Sequence, residues 1–498
     1  MPCGQPRAHA PPDRLRSGPE PVTSRYLSAP RAPAQLLRGF EAIRAELGVP
    51  DAFSPAALQD AARAGELRLD AVDATHLPFV TIDPPSSMDL DQALLIQPRG
   101  SGYRVHYAIA DVPAFVRPGS ALDAEVRQRA VTLYSPDRKV PLHPQSLSEG
   151  AASLLPEQVR PALVWQIDLD QQGAIADATV YRATVRSRAK LSYATVQQAL
   201  DSGSAEQSLH LLREVGLLLQ AQEAARGGVS LPGAEQEIVA DATTYRLVLR
   251  EPLPVEGWNA QISLLTGRAA AQIMLDGGIG ILRTMPDPAL ADIGRVRAVA
   301  RSLRIDWPRD VTYPQIIATM DPEVPAQAAL LNAVPALLRG ASYTPFDGEP
   351  PVLRTHSAVA APYAHVTAPL RRLVDRWGLQ ICLTLCEGRD QAAWVRDGLA
   401  DLPDQMATGS HRARALERAN VDLVEAFVLQ DQVGQEFVAA VLETRGSTSL
   451  VQLTEPPVIS RVQGALPLGE RTMVRLRAVD LAARSVTFVP ADQVANKV

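Results

Sequence analysis

Three aspartates lie within nine residues of one another, in a segment whose flanks are too apolar for an ordinary solvated loop. They are Asp83, Asp89 and Asp91, in the segment 81–92. Carboxylates this close repel one another when ionised, and in apolar surroundings each is driven to protonate unless a cation neutralises the group. Oxygen ligands without His or Cys favour magnesium, or alternatively manganese, over zinc. The segment therefore predicts a fold that gathers these side chains around a divalent metal ion.

A second interpretation needs no metal. Asp83 precedes Pro84 and can start an Asp-Pro turn, and residues 89–91 can form a polar strand edge with Leu90 directed inward. The spacing taken alone favours this interpretation over the metal site.

Composition limits the classes of protein that this chain can represent. Its 498 residues allow two to four domains, and 46% hydrophobic residues without an apolar run of about eighteen predict a protein that does not enter the membrane. The net charge of −6 excludes a generally basic coat, so any path for a nucleic acid must be a local basic channel. Of the three cysteines, Cys382 and Cys386 lie on an apolar predicted helix, which favours a reducing cytoplasmic location.

Changes in pattern along the chain predict four regions. Residues 1–30, rich in Pro and Arg, read as a disordered tail, and residues 31–75 as a small helical module that resembles a helix-turn-helix. That module either contacts nucleic acid or packs as an appendage on the main domain. Residues 76–427 alternate strands and helices, and residues 428–498 contain five short strands separated by turns. Five strands in so short a stretch suit an OB-fold barrel, which is a frequent binder of single-stranded nucleic acid.

The order of several motifs resembles the ribonuclease II and ribonuclease R (RNB) exoribonuclease family. The aspartate segment looks like the signature of that family, and residues 363–372 look like its Tyr-x-His-x-Thr-Ser-Pro-Ile-Arg-Arg block. Other matching segments follow in the same order, at residues 108–112, 133–136, 153–156, 159–161, 187–189 and 191–193. The resemblance implies a multidomain protein with a mixed α/β RNB-type catalytic domain, a small helical N-terminal module and a C-terminal all-β OB-fold barrel.

Roles for individual side chains come from the same resemblance. It implies that Asp83, Asp89 and Asp91 hold magnesium, with Asp89 and Asp91 also catalytic. It further implies a glutamate near the catalytic centre at Glu417 and a transition-state-stabilising arginine at Arg371. Contacts to RNA are implied for a further group: Tyr134, which would stack on the 3′-terminal base, Tyr193, which would recognise ribose, and also Arg372 and His365.

The chain departs from the family at two acids. The family has a fourth aspartate directly after the third, where this chain has Gln92, which still offers an oxygen ligand. We expect weaker affinity for one metal ion, or recruitment of another carboxylate such as Asp111. The family also has a glutamate on the helix that contains Gln261, so the implied ribose recognition rests on fewer groups here.

The residues around Arg371 predict a helix. Thr367 is a candidate N-cap and Pro369 a first-turn residue, and they precede an apolar face formed by Leu370, Leu373, Val374, Trp377 and Ile381. Arg371 and Arg372 would then lie in the first turn, where free N–H groups favour an anion and the helix dipole disfavours cations. Two arginines at that position indicate a phosphate in front of them. The alternative is an ion pair between Arg371 and Asp375.

These observations predict a processive, hydrolytic 3′→5′ exoribonuclease that releases nucleoside 5′-monophosphates by two-metal chemistry. Its substrate would be single-stranded RNA, with duplex regions as an open case. We expect a cytoplasmic monomer without an obligate protein partner. Two alternatives stay open: an RNA-binding protein that has lost turnover through Gln92, and a metal-dependent phosphodiesterase that acts on DNA or small nucleotides.

Overall fold

The structure is a computed structural model that describes residues 33–64, 70–231, 233, 235–240 and 243–491. The tail predicted for residues 1–30 therefore lies outside the described residues. Among the helices of the described part, none has the length and apolar character needed to span a membrane.

The described helices and strands follow one another in a mixed order. The helices are α1 (Ala34–Glu46), α2 (Pro55–Ala64), α3 (Val112–Phe115), α4 (Ala121–Arg129), α5 (Tyr193–Asp201), α6 (Gln207–Arg226), α7 (Pro254–Asp276), α8 (Leu290–Ser302), α9 (Tyr313–Ile317), α10 (Pro325–Ala333), α11 (Leu373–Cys386), α12 (Ala393–Leu399) and α13 (Leu402–Leu429). The strands are β1 (Val72–Asp73), β2 (Val80–Ile82), β3 (Gln92–Arg99), β4 (Gly102–Ala110), β5 (Leu133–Tyr134), β6 (Lys139–Val140), β7 (Val159–Leu169), β8 (Ile175–Arg186), β9 (Ala189–Leu191), β10 (Glu235–Ala240), β11 (Tyr245–Arg250), β12 (Ile279–Thr284), β13 (Ser342–Asp347), β14 (Thr355–His356), β15 (Ala361–Pro362), β16 (Glu436–Arg445), β17 (Thr448–Leu453), β18 (Ile459–Gln463), β19 (Arg471–Asp480) and β20 (Ser485–Pro490). Single helical turns of other geometry lie at Leu147–Ala151, Val334–Leu337 and Gln430–Gln432.

A mixed sheet forms the centre of the α/β body, in the order β1-β8-β7-β4-β3-β2-β9. Its central strands pair antiparallel, while β1 and β9 at the two edges pair parallel with their neighbours. The apolar runs of β4 and β7 are buried because α6, α7 and α11 pack against the sheet. The connection from β2 to β3 spans residues 83–91, so the aspartate segment lies at one end of the sheet.

The C-terminal region confirms the five predicted strands. Strands β16 to β20 close into a barrel in the order β16-β17-β18-β20-β19. Every neighbouring pair is antiparallel except β18 and β20, which meet in parallel at Val462 and Phe488. Alternate side chains of β17, including Val451 and Leu453, fill the interior, as the period of two in the sequence requires. The mixed α/β body with a C-terminal barrel is the predicted fold class.

The two N-terminal helices pack on different parts of the α/β body. Leu36, Phe40 and Ile43 of α1 are buried against α13 and the β10–β11 hairpin, with the ring of Phe40 perpendicular to that of Tyr245. Helix α2 instead packs against α4. The apolar faces of both helices are thus used as packing surfaces, in agreement with the appendage interpretation. A contact of this module with nucleic acid stays a prediction.

The helix predicted to contain Arg371 begins later than expected. Arg371 lies in a turn, and Arg372 is an extended N-cap residue that forms a β-bridge with Val131, so α11 starts at Leu373. The first-turn placement of both arginines is therefore wrong, as is the alternative ion pair between Arg371 and Asp375. The reason is tertiary: Asp375 accepts the Ala368 N–H at 2.7 Å and pairs with the guanidinium of Arg372, and this contact holds residues 368–372 in a turn before the helix.

Asp375 is buried and has no exposed surface, so its replacement tests how strongly that turn is held. Asp375→Asn places an amide donor against the Arg372 guanidinium and leaves a buried cation without its carboxylate. We expect the free energy of unfolding to fall by about 3–5 kcal/mol, measured by chemical denaturation with tryptophan fluorescence. The matched control is Asp397→Asn, at an exposed side chain of α12, which should change the free energy of unfolding by less than about 0.5 kcal/mol. An equal effect of the two substitutions would contradict this account of the turn.

Glu425 of α13 connects the barrel and the β10–β11 hairpin to the α/β body. Its carboxylate accepts the Gln236 side-chain N–H at 2.9 Å and the Ile459 backbone N–H at 3.1 Å. Burial raises its pKa from 4.5 to about 7, despite both hydrogen bonds. The folded protein therefore holds a proton that the unfolded chain has lost between those two pH values.

This stabilisation is complete below about pH 4.5 and is lost as pH rises through about 7, a change of about 2–3 kcal/mol. Glu425→Gln keeps an acceptor oxygen but cannot ionise. Its melting temperature, measured by calorimetry from pH 5 to pH 8, should fall less with pH than that of the unmodified protein. Glu470→Gln, at an exposed position of the barrel, is the control and should retain the original pH dependence. Parallel curves for Glu425→Gln and the unmodified protein would refute the buried-proton explanation.

Candidate active site

The three aspartates lie at the end of the central sheet and differ in their surroundings. Asp83 follows β2, and its backbone N–H donates to the Leu191 carbonyl at 3.0 Å. Asp91 directly precedes β3, is 4% exposed and accepts the Leu370 N–H at 2.8 Å. Leu90 between the acids is buried, so its side chain points inward as it would in a strand. The inward Leu90 of the metal-free interpretation is thus present together with the clustered carboxylates.

Burial raises the pKa of Asp83 to about 7 and that of Asp91 to about 7. Arg371 opposes the shift at both carboxyls, and the negative charge of Asp89 increases it. Asp83 and Asp91 are therefore both close enough to Asp89 and to Arg371 for those charges to act on them. The cluster behaves as the sequence predicts: without further positive charge, part of it retains protons near neutral pH.

Asp89 is paired with a lysine. Lys139 of β6 donates to Asp89 at 2.8 Å and to Glu149 at 2.6 Å, and its side chain is 19% exposed. The ammonium group lies between two carboxylates from separate segments.

The amide of Gln92 is engaged within the protein. Its Oε1 accepts the Tyr107 hydroxyl at 2.8 Å, and its Nε2 donates to the Thr367 carbonyl at 2.5 Å. Tyr107 also shares a hydrogen bond of 2.9 Å with Ser263 of α7. Gln92 thus ties β3 to the segment that carries Arg371, and a role as metal ligand would use the remaining lone pair of Oε1.

The two arginines have separate positions. The Nε of Arg371 lies 3.3 Å from Oδ2 of Asp91, and its side chain is 48% exposed. Burial lowers the pKa of Arg371, but Asp91 and Tyr134 raise it and the net shift is upward. Arg372 pairs with Asp375 and faces the protein. Arg371 is therefore the guanidinium available to a ligand beside the acids, whereas an RNA contact by Arg372 stays a prediction.

Tyr134 and Glu417 line the same cavity, of about 220 Å³. Asn420 also lines it: this side chain is 2% exposed, donates to Ser135 Oγ at 3.2 Å and leaves its Oδ1 without a partner among the described residues. The cavity lies between the β5–β6 hairpin, the β10–β11 hairpin and α13. The structure thus brings together an aromatic ring, an exposed carboxylate and an amide oxygen without a partner among the described residues, and Tyr134 of this cavity is close enough to Arg371 to raise its pKa.

Tyr193 lies on the Asp83 side of the site. Burial, followed by the charge of Asp83, raises its pKa to about 12, so the hydroxyl stays protonated. The Asn259 side chain of α7 donates to that hydroxyl at 3.3 Å. Tyr193 therefore has a defined orientation and a neutral hydroxyl that can donate a hydrogen bond.

His365 is part of an aromatic cluster. Its Nδ1 shares a hydrogen bond of 2.8 Å with the Tyr343 hydroxyl, and the Tyr363 ring packs perpendicular to it. Burial and the nearby Arg372 hold its pKa well below the ordinary value, so the ring is neutral. This geometry favours a scaffold role, and contact with RNA stays a prediction.

Two further acids occupy unexpected positions. Asp111, proposed above as a substitute ligand, is fully buried, caps α3 and pairs with Arg182 at 2.6 Å, so it is not free to compensate for Gln92. Gln261 donates to the carboxylate of Glu223 on α6 at 2.6 Å. An acid from a neighbouring helix thus lies beside the position where the family has a glutamate.

The donor set fits a hard divalent cation. Among the described residues, no three His, Cys, Asp or Glu side chains converge into a ready-made cage. The carboxylates of Asp83 and Asp91 nevertheless lie in a partly buried space where the negative charge of Asp89 repels both of them. This favours an added cation, and their oxygens suit magnesium or manganese. These two acids, with Asp89, are the residues that could hold such an ion.

Several residues of this site escaped the sequence reasoning. Lys139, Asn420 and Tyr107 carry no motif of their own, and only their partners reveal them. Lys139 did leave a signal, since it is one of three lysines in a chain whose other basic residues are all arginine.

The family model of the RNB domain matches residues 71–379, and that of the RNase II-type exonuclease C-terminal S1 domain matches residues 435–491. Ribonuclease R of Escherichia coli is 26% identical over 477 residues, which include 85% of this chain and 58% of that protein. Exoribonuclease 2 of Vibrio vulnificus is 28% identical over 243 residues, 48% of this chain and 36% of that protein. The chain thus spans less than two thirds of the length of these relatives.

Solved structures share the fold. Mycoplasma genitalium RNase R in complex with ribose-methylated single-stranded RNA aligns with a TM-score of 0.82 at 21% identity, over 92% of this chain and 78% of that one. Yeast Ssd1, described as a pseudonuclease, aligns with a TM-score of 0.65 at 17% identity, over 90% and 56% of the two chains. Because the RNB model covers more than half of the sequence and its barrel domain matches as well, this chain belongs to the RNB family of RNase II-type exonucleases.

Proposed function

We propose that the protein is a processive 3′→5′ exoribonuclease that hydrolyses single-stranded RNA to nucleoside 5′-monophosphates. The observation that carries the proposal is the position of Arg371, whose half-exposed guanidinium lies between the Asp83–Asp91 cluster and Tyr134. A phosphate bound there would face both an arginine and the acids that can hold a cation, with an aromatic ring beside it. The related proteins named ribonuclease R and exoribonuclease 2 support this activity.

The acids and the arginine would have different electrostatic roles. Magnesium, or manganese in its place, would be held by Asp83, Asp89 and Asp91 and would supply an activated water and charge neutralisation. Arg371 would stabilise the charge that develops on the non-bridging oxygens of the scissile phosphate, because its side chain is already oriented by Asp91. Glu417, exposed in the neighbouring cavity, is proposed to position the 3′-terminal nucleotide or the water near the catalytic centre.

Two tyrosines would recognise the 3′ end. Tyr134 offers a ring on which any base can stack, and the adjacent cavity, of about 220 Å³, would receive part of the terminal nucleotide. Tyr193 would contact the 2′-hydroxyl through its neutral phenol, which the protein orients through Asn259. The C-terminal barrel would guide the strand, since the matched S1-type domain is an OB-like fold.

The competing proposal is an RNA-binding protein without turnover. The fold alone does not separate the two, because yeast Ssd1 shares it and is described as a pseudonuclease. The presence of Asp83, Asp89, Asp91 and Arg371 in one cluster favours the enzyme, since a binder of RNA has no need for clustered acids near a phosphate. The presence of Gln92 leaves this cluster in place, because the Gln92 amide links β3 to Thr367 and so to the segment that carries Arg371.

A time course on 5′-labelled single-stranded RNA tests the activity. With magnesium or manganese we expect shortening from the 3′ end to mononucleotides, and loss of that activity in EDTA. Asp91→Asn should lower the rate by roughly 10²–10³-fold, because it removes a charge needed at the metal and the partner of Arg371. Asp397→Asn is the control with an exposed aspartate. Tight RNA binding without shortening by the unmodified protein would establish the non-catalytic alternative.

A comparison of RNA with DNA of identical sequence tests the role of Tyr193. Tyr193→Phe retains the ring but loses the hydroxyl, so we expect kcat/KM on RNA to fall by about tenfold and the weak reaction on DNA to stay unchanged. Tyr134→Ala should instead lower kcat/KM on RNA and on DNA by the same factor, since stacking does not depend on the sugar. Equal losses on RNA and DNA in Tyr193→Phe would exclude the hydroxyl as the ribose reader. Equal rates of the unmodified protein on both polymers would favour a general phosphodiesterase.

A further inference from the structure

Lys139 occupies a position that the proposed mechanism does not use. Its ammonium group lies 2.8 Å from Asp89 and 2.6 Å from Glu149, and four fifths of its side chain is covered by protein. A lysine at the surface would keep its charge in water, whereas this one is directed into the acidic end of the site. Its charge therefore neutralises carboxylates that would otherwise face one another.

The position of Lys139 is set by a short hairpin. Strands β5 and β6 pair Tyr134 directly with Lys139, and the turn is closed by the Ser135 N–H donating to the Arg138 carbonyl at 2.9 Å. The other pair of the hairpin, Leu133 with Val140, is buried in the hydrophobic core. The same rigid element thus carries the candidate base-stacking ring and the ammonium group, so the lysine is placed as firmly as the ring.

The carboxylates that remain for metal ions are few. Gln92 is neutral, and both ends of its amide are bonded to Tyr107 and Thr367. The negative charge of Asp89 is paired with the positive charge of Lys139. Among the described residues, neither Asp83 nor Asp91 forms an ion pair with a lysine: Lys190 bonds the Pro85 and Ser87 carbonyls and acts on Asp83 only through its charge, and Asp91 has the half-exposed Arg371 beside it. The two carboxylates can therefore balance the charge of one divalent ion but not of two.

We propose that the Lys139 ammonium takes the place of one of two metal ions, so that this active site binds a single divalent ion through Asp83 and Asp91. The inference rests on the proposed function, since it concerns the ions that the reaction would use. Lys139 is a positioning residue here: it holds Asp89 and Glu149 in place and supplies positive charge without direct contact with the substrate. A compact ammonium with three donors suits that position, because it can bond two carboxylates at once.

Counting bound manganese tests the proposal without measuring catalysis. Mn²⁺ is titrated into the full chain and free Mn²⁺ is followed by its electron paramagnetic resonance signal, with and without a 2′-O-methyl RNA oligonucleotide. The unmodified protein should bind about one Mn²⁺ per chain at most. Lys139→Gln exposes Asp89 and Glu149 as ligands and should bind about one ion more, while Lys139→Arg, which keeps the charge, should bind no more than the unmodified protein.

Arg138→Gln is the matched control, because it removes a cation from the neighbouring residue, which pairs outward with Asp51. Its manganese count should not change. Two Mn²⁺ ions in the unmodified protein would overturn the proposal, as would an unchanged count in a folded Lys139→Gln variant. The count in the unmodified protein decides the matter even if Lys139→Gln does not fold, which circular dichroism would show.

The RNA time course separates this inference from the proposed function. If the unmodified protein binds one Mn²⁺ and degrades RNA, both stand. If the predicted manganese counts are found but RNA is not shortened, the exoribonuclease proposal fails, and so does the mechanistic role given to the single ion. If RNA is degraded and two ions are bound, only the role of Lys139 fails.

Discussion

The carboxylate of Asp91 joins two parts of the chain that are far apart in sequence, and the site is built around that contact. Oδ1 accepts the Leu370 N–H at 2.8 Å, and Oδ2 lies 3.3 Å from the Nε of Arg371. Because Asp91 immediately precedes β3, this contact fixes the turn before α11 against the end of the central sheet. Gln92 adds a second link of the same kind, from its side chain to Thr367. The arginine and the acids are therefore held relative to one another by backbone as well as side-chain contacts.

The organisation of charge follows from this arrangement. Several carboxylates share a partly buried space, and three of them pair with a different cation. Asp91 pairs with Arg371, Asp89 with Lys139, and Asp375 with Arg372. Burial costs less when a charge has a bonded partner, so the protein tolerates the cluster. Asp83 has no ion pair among the described residues, although the charges of Arg371 and Lys190 act on it, and the raised pKa values of Asp83 and Asp91 indicate where added positive charge is most favourable.

Some of this could be predicted from residues alone. The barrel strands repeat with a period of two between clear turn residues, so their number was predictable and their bounds were nearly so. The aspartate cluster was visible because it is local. The helix start at Thr367 was predicted wrongly, since local cap signals at Thr367 and Pro369 were outweighed by the hydrogen bond from the Ala368 N–H to Asp375 and the bridge to Val131. A similar limit applied to Asp111, whose sequence position suggests a site residue although Arg182 and α3 occupy its carboxylate.

The sequence by itself determined the strands of the barrel, the family and the candidate acids, because these depend on periodicity and on motifs within short segments. Only the tertiary structure decided which charges face one another. In the fold, Lys139 forms an ion pair with Asp89, Gln261 donates a hydrogen bond to Glu223, and Tyr134 and Glu417 line the same cavity. The two residues of each pair are tens to hundreds of positions apart in the sequence. The physical reason is that a carboxylate in a partly buried space is governed by whichever partner the fold brings within hydrogen-bonding distance, and no local pattern encodes that partner.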